Sequence, residues 1–185
     1  MKLKLIIAAA ATVLVAESAS SQVFVIGNGL GGECYQKTKN SYSSFRDADQ
    51  TCTRALREQV MTRSNRAATY VNRGVLRMRA GKYDAALADY SEATDLNPEL
   101  GAAFLNEGAA HIYRQDFEAA LAPLDRAIAL ESADLFAAYY NRAIAKENTG
   151  DVSGAFYDFE KSLELKPGWD LAERQLTRFS VEDGS

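Results

Sequence analysis

A stretch of 34 residues, Ala67 to Leu100, constrains this chain more than any other feature, because its landmarks return twice, at spacings of 34 and then 35 residues. Gly74 recurs as Gly108 and Ala143, Ala86 as Ala120 and Ala155, Tyr90 as Leu124 and Phe159, and Leu96 as Leu130 and Leu165. Each copy has two runs of helical periodicity around a turn, at Gly81-Lys82, Gln115-Asp116 and Gly150-Asp151. Each is therefore expected to be a helical hairpin. One hairpin cannot cover its own apolar face, whereas stacked ones can, so the spacing predicts an all-α solenoid.

The residues at these landmarks resemble the tetratricopeptide-repeat (TPR) family, whose pattern is a small residue in the first helix, a small residue and an aromatic in the second, and a closing proline. Tyr70, Gly74, Ala86, Tyr90, Ala93 and Pro98 fit in the first copy. Phe104, Gly108, Ala120, Leu124 and Ala127 fit in the second, with Ser132 in place of the proline. Tyr139, Ala143, Ala155, Phe159 and Pro167 fit in the third, with Ser162 at a small position. The resemblance covers residues 67–169 as repeats 67–100, 101–135 and 136–169. It implies a right-handed superhelical solenoid of antiparallel hairpins that serves as a scaffold for protein partners, without naming one job.

The flanks are read separately. Residues 1–21 have the anatomy of an export signal, with Lys2 and Lys4 ahead of an apolar run from Leu5 to Ala16 and small residues suited to cleavage after Ala16, Ser20 or Ser21. This points to an exported protein of the bacterial periplasm, or a secreted one, with no stable membrane insertion after cleavage. Residues 22–32 form an extended, glycine-rich leader. Gly27, Gly29 and Gly32 formally match a dinucleotide fingerprint, with Asp47 and Asp49 about twenty residues further on. The stretch from Ser41 to Thr53 reads as helix and not as the second parallel strand that fold needs, so no cofactor is expected.

Residues 33–66 resemble a degenerate hairpin, because Thr53-Arg54-Ala55 aligns with Ser91-Glu92-Ala93. It would cap the stack, with a longer than usual loop near Met61 to Asn65. The same alignment places Cys34 and Cys52 opposite each other across that hairpin, and the only two cysteines of an exported chain are expected to form a disulfide. The alternative is a redox-active pair, which would make the chain an envelope redox or stress sensor. At the other end Trp169, Ala172, Leu176 and Phe179 form a helical stripe on a capping helix over residues 170–180, and residues 181–185 are expected to fray.

Comparison of the copies suggests how each hairpin closes. The seventh unit position holds Arg73, Glu107 and Arg142, and the twenty-third holds Asp89, Pro123 and Asp158. Arg73 with Asp89 and Arg142 with Asp158 are therefore expected as structural ion pairs. Pro123, inside a helix, is expected to kink it.

Binding residues follow from the solenoid geometry, in which first helices line the concave face. That face would carry Val71, Val75, Met78 and Arg79, then Leu105, Ala109, Ile112 and Tyr113, then Tyr140, Ile144, Glu147 and Asn148. Such an apolar and aromatic lining suits a peptide or partner helix. The sixth unit position is Asn72, Asn106 and Asn141. Carboxamides at this spacing either bond a neighbouring helix or form a ladder for the backbone of an extended peptide.

Charge is uneven: residues 54–82 carry a net +7 and residues 83–185 a net −12. Solvated helix faces account for this, and a basic docking surface of Arg57, Arg63, Arg66, Arg77 and Arg79 is the sharper alternative. An acidic, exported chain argues against nucleic acid as partner. The sole histidine, His111, falls at a core-facing position, and no Cys/His spacing suits a metal. The sequence thus favours a non-catalytic protein-binding adaptor, with the redox sensor and, more distantly, a hydrolase as alternatives.

Overall fold

The computed structural model describes residues 4–7, 22–25, 29–40 and 43–182. Among them, helices pair in chain order: α1 (Leu30–Lys39) with α2 (Phe45–Glu58), α3 (Arg63–Arg79) with α4 (Tyr83–Leu96), α5 (Gly101–Tyr113) with α6 (Phe117–Ala129), and α7 (Leu135–Asn148) with α8 (Val152–Leu165). A last helix, α9 (Asp170–Leu176), packs on α8. Each hairpin packs on the next, and α5 also meets α3 and α7, so the first helices line one side of a solenoid.

The turns inside the three repeats all need left-handed backbone. Gly81 at φ 71° and Gly150 at φ 93° take it without a steric penalty, whereas the middle hairpin places Gln115 there at φ 65°. Packing then closes each hairpin around one large side chain of the second helix. Tyr90, Leu124 and Phe159 are fully buried, and each contributes roughly 2 to 3 kcal/mol of apolar burial. The small residue opposite is dictated by space. A Cβ added to Gly74 would sit 2.4 Å from Tyr90 Cε1, and one on Gly108 would sit 2.4 Å from Leu124 Cγ.

The flanks depart from the sequence reading in several ways. α1 begins at Leu30, inside the stretch expected to be leader. The connection Gln59–Thr62 is no longer than Asn97–Leu100, because the extra residues lengthen α3 to 17 residues. Thr62 makes this possible as the cap, its side chain accepting from the Asn65 N–H at 3.2 Å. Within the repeats, α6 (Phe117–Ala129) holds Pro123 inside it, which leaves the Ala119 carbonyl without its ladder donor.

At the C-terminus the capping helix stops at Leu176, four residues short of the expected 180, and Phe179–Glu182 form a strand, β2. Its antiparallel partner is β1 (Lys4–Ile7), in the register Lys4 with Glu182 and Ile7 with Phe179. Val181 and Glu182, expected to fray, thus end a paired strand, while residues 183–185 lie outside the described residues. So does the expected export signal, apart from β1.

Candidate functional site

The concave face is built by α3, α5 and α7, and its expected lining is largely covered. Val71, Asn72, Val75, Met78, Leu105, Asn106, Ala109, Ile112, Tyr140, Asn141 and Ile144 are all buried. Arg79 donates to the Thr38 carbonyl at 2.7 Å, and Tyr113 stacks on Tyr83 with centroids 5.5 Å apart. The face is therefore not the open apolar groove read from the sequence.

Two different segments cover its ends. At the C-terminal end α9 lies over the first helix of the third repeat: Gln175 Nε2 donates to the Tyr140 hydroxyl at 3.5 Å, and Arg178 pairs with Glu147. Ala172 joins the same apolar cluster as Tyr140 and Phe159. Asn148 turns away, its Nδ2 donating to the Ile144 carbonyl. At the N-terminal end the covering segment is residues 22–25. Val23 packs on the cluster containing Val71 and Val75.

The three asparagines have different fates. Asn72 holds one residue of that segment by its backbone, Nδ2 donating to the Val23 carbonyl at 2.8 Å and Oδ1 accepting from the Val23 N–H at 3.1 Å. Asn106 is fully buried on α5. Asn141 is also buried, and its Nδ2 has no hydrogen-bond partner among the described residues.

Outside the groove, the hairpin seams carry most of the buried charge. Arg73 grips both oxygens of Asp89, at 2.6 to 3.2 Å, and Arg142 grips both oxygens of Asp158 at 2.7 Å each. The carboxylates are 2% and 5% exposed, so these are seams and not surface pairs. A second cation completes each cluster, Arg77 on Asp89 and Lys146 on Asp158, both at 2.9 Å. The sequence reading missed it, although the eleventh unit position, Arg77, His111 and Lys146, repeats in phase with the seventh.

The remaining guanidinium nitrogen reaches back one hairpin, from Arg73 to Thr53 and from Arg142 to Asp125. Burial pulls the Asp89 carboxyl up, against the downward pull of Arg73 and Arg77. The hydrogen bonds that Arg142 donates to Asp158 hold its guanidinium firmly charged.

The middle hairpin lacks this cluster. Glu107 stands at the arginine position and its carboxyl is pushed up by burial alone. His111 is pushed down by burial, outweighing Asp116, whose carboxylate lies 3.9 Å from Nδ1. Burial thus favours the neutral imidazole on this seam.

Cys34 and Cys52 are bonded, with Cα atoms 4.8 Å apart and both residues fully buried between α1 and α2. The basic residues do not form one surface. Arg77 is spent on Asp49 and Asp89, Arg63 donates to the Asp95 carbonyl, and Arg66 lies over the Tyr70 ring. Only Arg57 of that set joins Arg46, Arg54 and Lys82 around a shallow cavity of about 780 Å³. Asp47 and Asp49 pair with Lys37 and Arg77.

Comparison with known proteins places this geometry. Residues 67–100 match the family model for the tetratricopeptide repeat, and paired helices of that kind continue on both sides. Residues 67–100 are a tetratricopeptide repeat, in a chain with the TPR solenoid fold. Its fold is close to the crystal structure of MamA, with a TM-score of 0.67 at 23% identity over 82% of each chain. It is also similar to the first TPR of Spaghetti (RPAP3) bound to an HSP90 peptide, with a TM-score of 0.59 at 27% identity, over 62% of this chain and 90% of that one.

Among sequences, it is 33% identical over 111 residues to the TPR and J domain-containing co-chaperone DNJ1 of Fusarium oxysporum, and 30% identical over 89 residues to human serine/threonine-protein phosphatase 5. These matches span 21% and 18% of the relatives' own lengths. Among the described residues no group of His, Cys, Asp or Glu could hold a metal, and no helix is long and apolar enough to cross a membrane.

Proposed function

We propose that this TPR protein is a non-catalytic adaptor that holds an extended peptide of a partner on its concave face, after export to the periplasm or beyond. The observation that carries the reading is the grip of Asn72 on both backbone groups of Val23. A carboxamide so placed recognises an extended chain by its backbone, whatever its sequence. RPAP3 domains of related fold, bound to HSP90 and HSP70 peptides, support peptide binding as the class of function.

A redox switch is disfavoured by the position of the disulfide, whose sulfurs are out of reach of a solvent thiol. It serves better as a staple that removes conformational freedom from the unfolded cap. For a hydrolase, carboxyls of raised affinity for protons would have to meet in the groove. Asp89 and Glu107, both pushed up, instead lie on separate hairpin seams.

The test is a library of short unstructured peptides screened against the purified full chain. Binding that disappears in Asn72→Ala, with the far-ultraviolet spectrum of the wild type retained, is expected. Peptide binding that Asn72→Ala leaves unchanged would move the site off the concave face. Thiol labelling without denaturant should modify neither cysteine, and rapid labelling after mild reductant would revive the sensor.

A further inference from the structure

The segment on the N-terminal end of the concave face belongs to the chain itself. Residues 22–25 alternate as an extended strand does. Val23 packs inward on the cluster of Val71 and Val75, Phe24 is 63% exposed, and Val25 is 4% exposed. The Phe24 ring meets Tyr35 at right angles, centroids 5.3 Å apart, while Val25 seats on Gly31. The polar bonds are equally regular, because the Asn72 carboxamide supplies to Val23 the donor and acceptor that a neighbouring strand would supply.

The segment is also separable from the cap behind it. α1 is fixed independently, by the Cys34–Cys52 bond and by the Gly31 N–H donating to Gln59 Oε1 at 2.8 Å. Between leader and helix stands Gly29 at φ 117°, a backbone state in which only glycine is unstrained. Among the described residues, releasing 22–25 therefore breaks the two hydrogen bonds to the Asn72 carboxamide, the contacts of two valines and the Phe24–Tyr35 ring contact, and leaves the bonds that fix α1 in place.

From this placement we infer that residues 22–25 are the resident ligand of the groove, and that the partner is an extended peptide of the same pattern, apolar–any–apolar, which binds by displacing them. The inference rests on the peptide-binding reading and makes it specific. The first apolar residue of the partner must keep its N–H, so proline is excluded there. The leader also sets the affinity. A partner binds only the fraction of molecules whose leader is out, so its apparent dissociation constant exceeds the intrinsic one by the reciprocal of that fraction.

The experiment uses the full chain and a fluorescent peptide with the sequence of residues 22–29, followed by anisotropy. Val23→Pro in the chain removes the N–H that Asn72 accepts and loosens the leader, and is expected to tighten peptide binding about tenfold, as the loss of one buried hydrogen bond implies. Asn72→Ala should abolish binding in both backgrounds. A peptide with proline in place of its valine at the second residue should fail on the unaltered Val23→Pro groove, which asks the same question should Asn72→Ala fold poorly.

Equal binding to wild type and Val23→Pro would overturn the displacement and leave the groove reading intact. No binding to Val23→Pro would overturn the partner class, and the library screen above then decides the fate of the groove. Binding that survives both Asn72→Ala and the proline peptide would overturn the whole inference, because the peptide would then sit elsewhere.

Discussion

The middle hairpin and its two neighbours follow one template but are closed in different ways. In the first and third repeats a buried aspartate takes two cations, and the turn and the exit use Gly81 with Pro98, or Gly150 with Pro167. The second repeat has Glu107 and Pro123 on its seam, and left-handed non-glycine residues at both its turn and its exit, Gln115 at φ 65° and Glu131 at φ 48°. The outer repeats are clasped and relaxed; the middle one is held by apolar packing and carries local strain. A solenoid tolerates this because each hairpin is stabilised by its neighbours. The Arg142 bond to Asp125 shows the third repeat lending its clasp to the second.

Removing the clasp should have the largest effect. Asp89→Ala leaves Arg73 and Arg77, with side chains 13% and 19% exposed, facing each other without their shared acceptor. A loss of about 3 to 5 kcal/mol in urea unfolding is expected, while Glu107→Ala in the middle repeat changes stability little. Adding Arg73→Met to Asp89→Ala should restore much of the loss, because a charge without a partner costs more than no charge. Equal losses in the two repeats would mean that the clasp does not distinguish them.

Next in size is the small residue opposite each large one. Gly74→Ala puts a methyl group within 2.4 Å of the fully buried Tyr90 ring, and Gly108→Ala puts one as close to Leu124. The ring cannot turn aside, so Gly74→Ala should lose about 2 to 3 kcal/mol in thermal or urea unfolding even though alanine favours helix. Leu124 has rotamers to spare, and Gly108→Ala should lose less. A stabilised Gly74→Ala would mean that the helices part more readily than this packing implies.

This spacing of small and large residues is why so much of the fold was legible in the sequence. Hairpin geometry requires Gly74, Gly108 and Ala143 to face Tyr90, Leu124 and Phe159, and any chain with those residues in phase must place its turns between them. The first cation of each clasp showed in the same way, through Arg73 with Asp89 and Arg142 with Asp158. The second, Arg77 or Lys146, was hidden although it varies in phase with the first, because one arginine already gave each aspartate a partner. The site was less legible. Asn72 was visible as a repeated carboxamide, but nothing in the periodicity of the repeats says that residues 22–25 lie on it or that α9 covers Tyr140. Both are single segments outside the repeat, so they have no second copy to compare with.

The turns offer a smaller test of the same contrast. Gln115→Gly gives the middle hairpin the turn its neighbours already have, relieving a left-handed side-chain residue at some cost in unfolded-chain entropy. A net gain of about 1 kcal/mol is expected, raising the melting temperature, with no gain from the reverse change at Gly81. A destabilised Gln115→Gly would show that the glutamine side chain has an anchoring contact of its own.

The smallest expected effect concerns the seam residue that has no clasp. Burial raises the Glu107 carboxyl above its ordinary value of 4.5, whereas at Asp89 Arg73 and Arg77 pull against the same effect. The folded state therefore holds a proton on Glu107 at pH values where the unfolded chain has released it, and stability falls as pH rises through that window. Above it the ionised carboxylate carries its full desolvation cost, and below the ordinary value the cost vanishes. Glu107→Gln should accordingly stabilise the protein at pH 7 to 8 by about 0.5 kcal/mol and not at pH 4, measured as the difference between two urea midpoints. A gain that persisted at pH 4 would assign the effect to amide packing in the seam, and so detach it from the missing arginine.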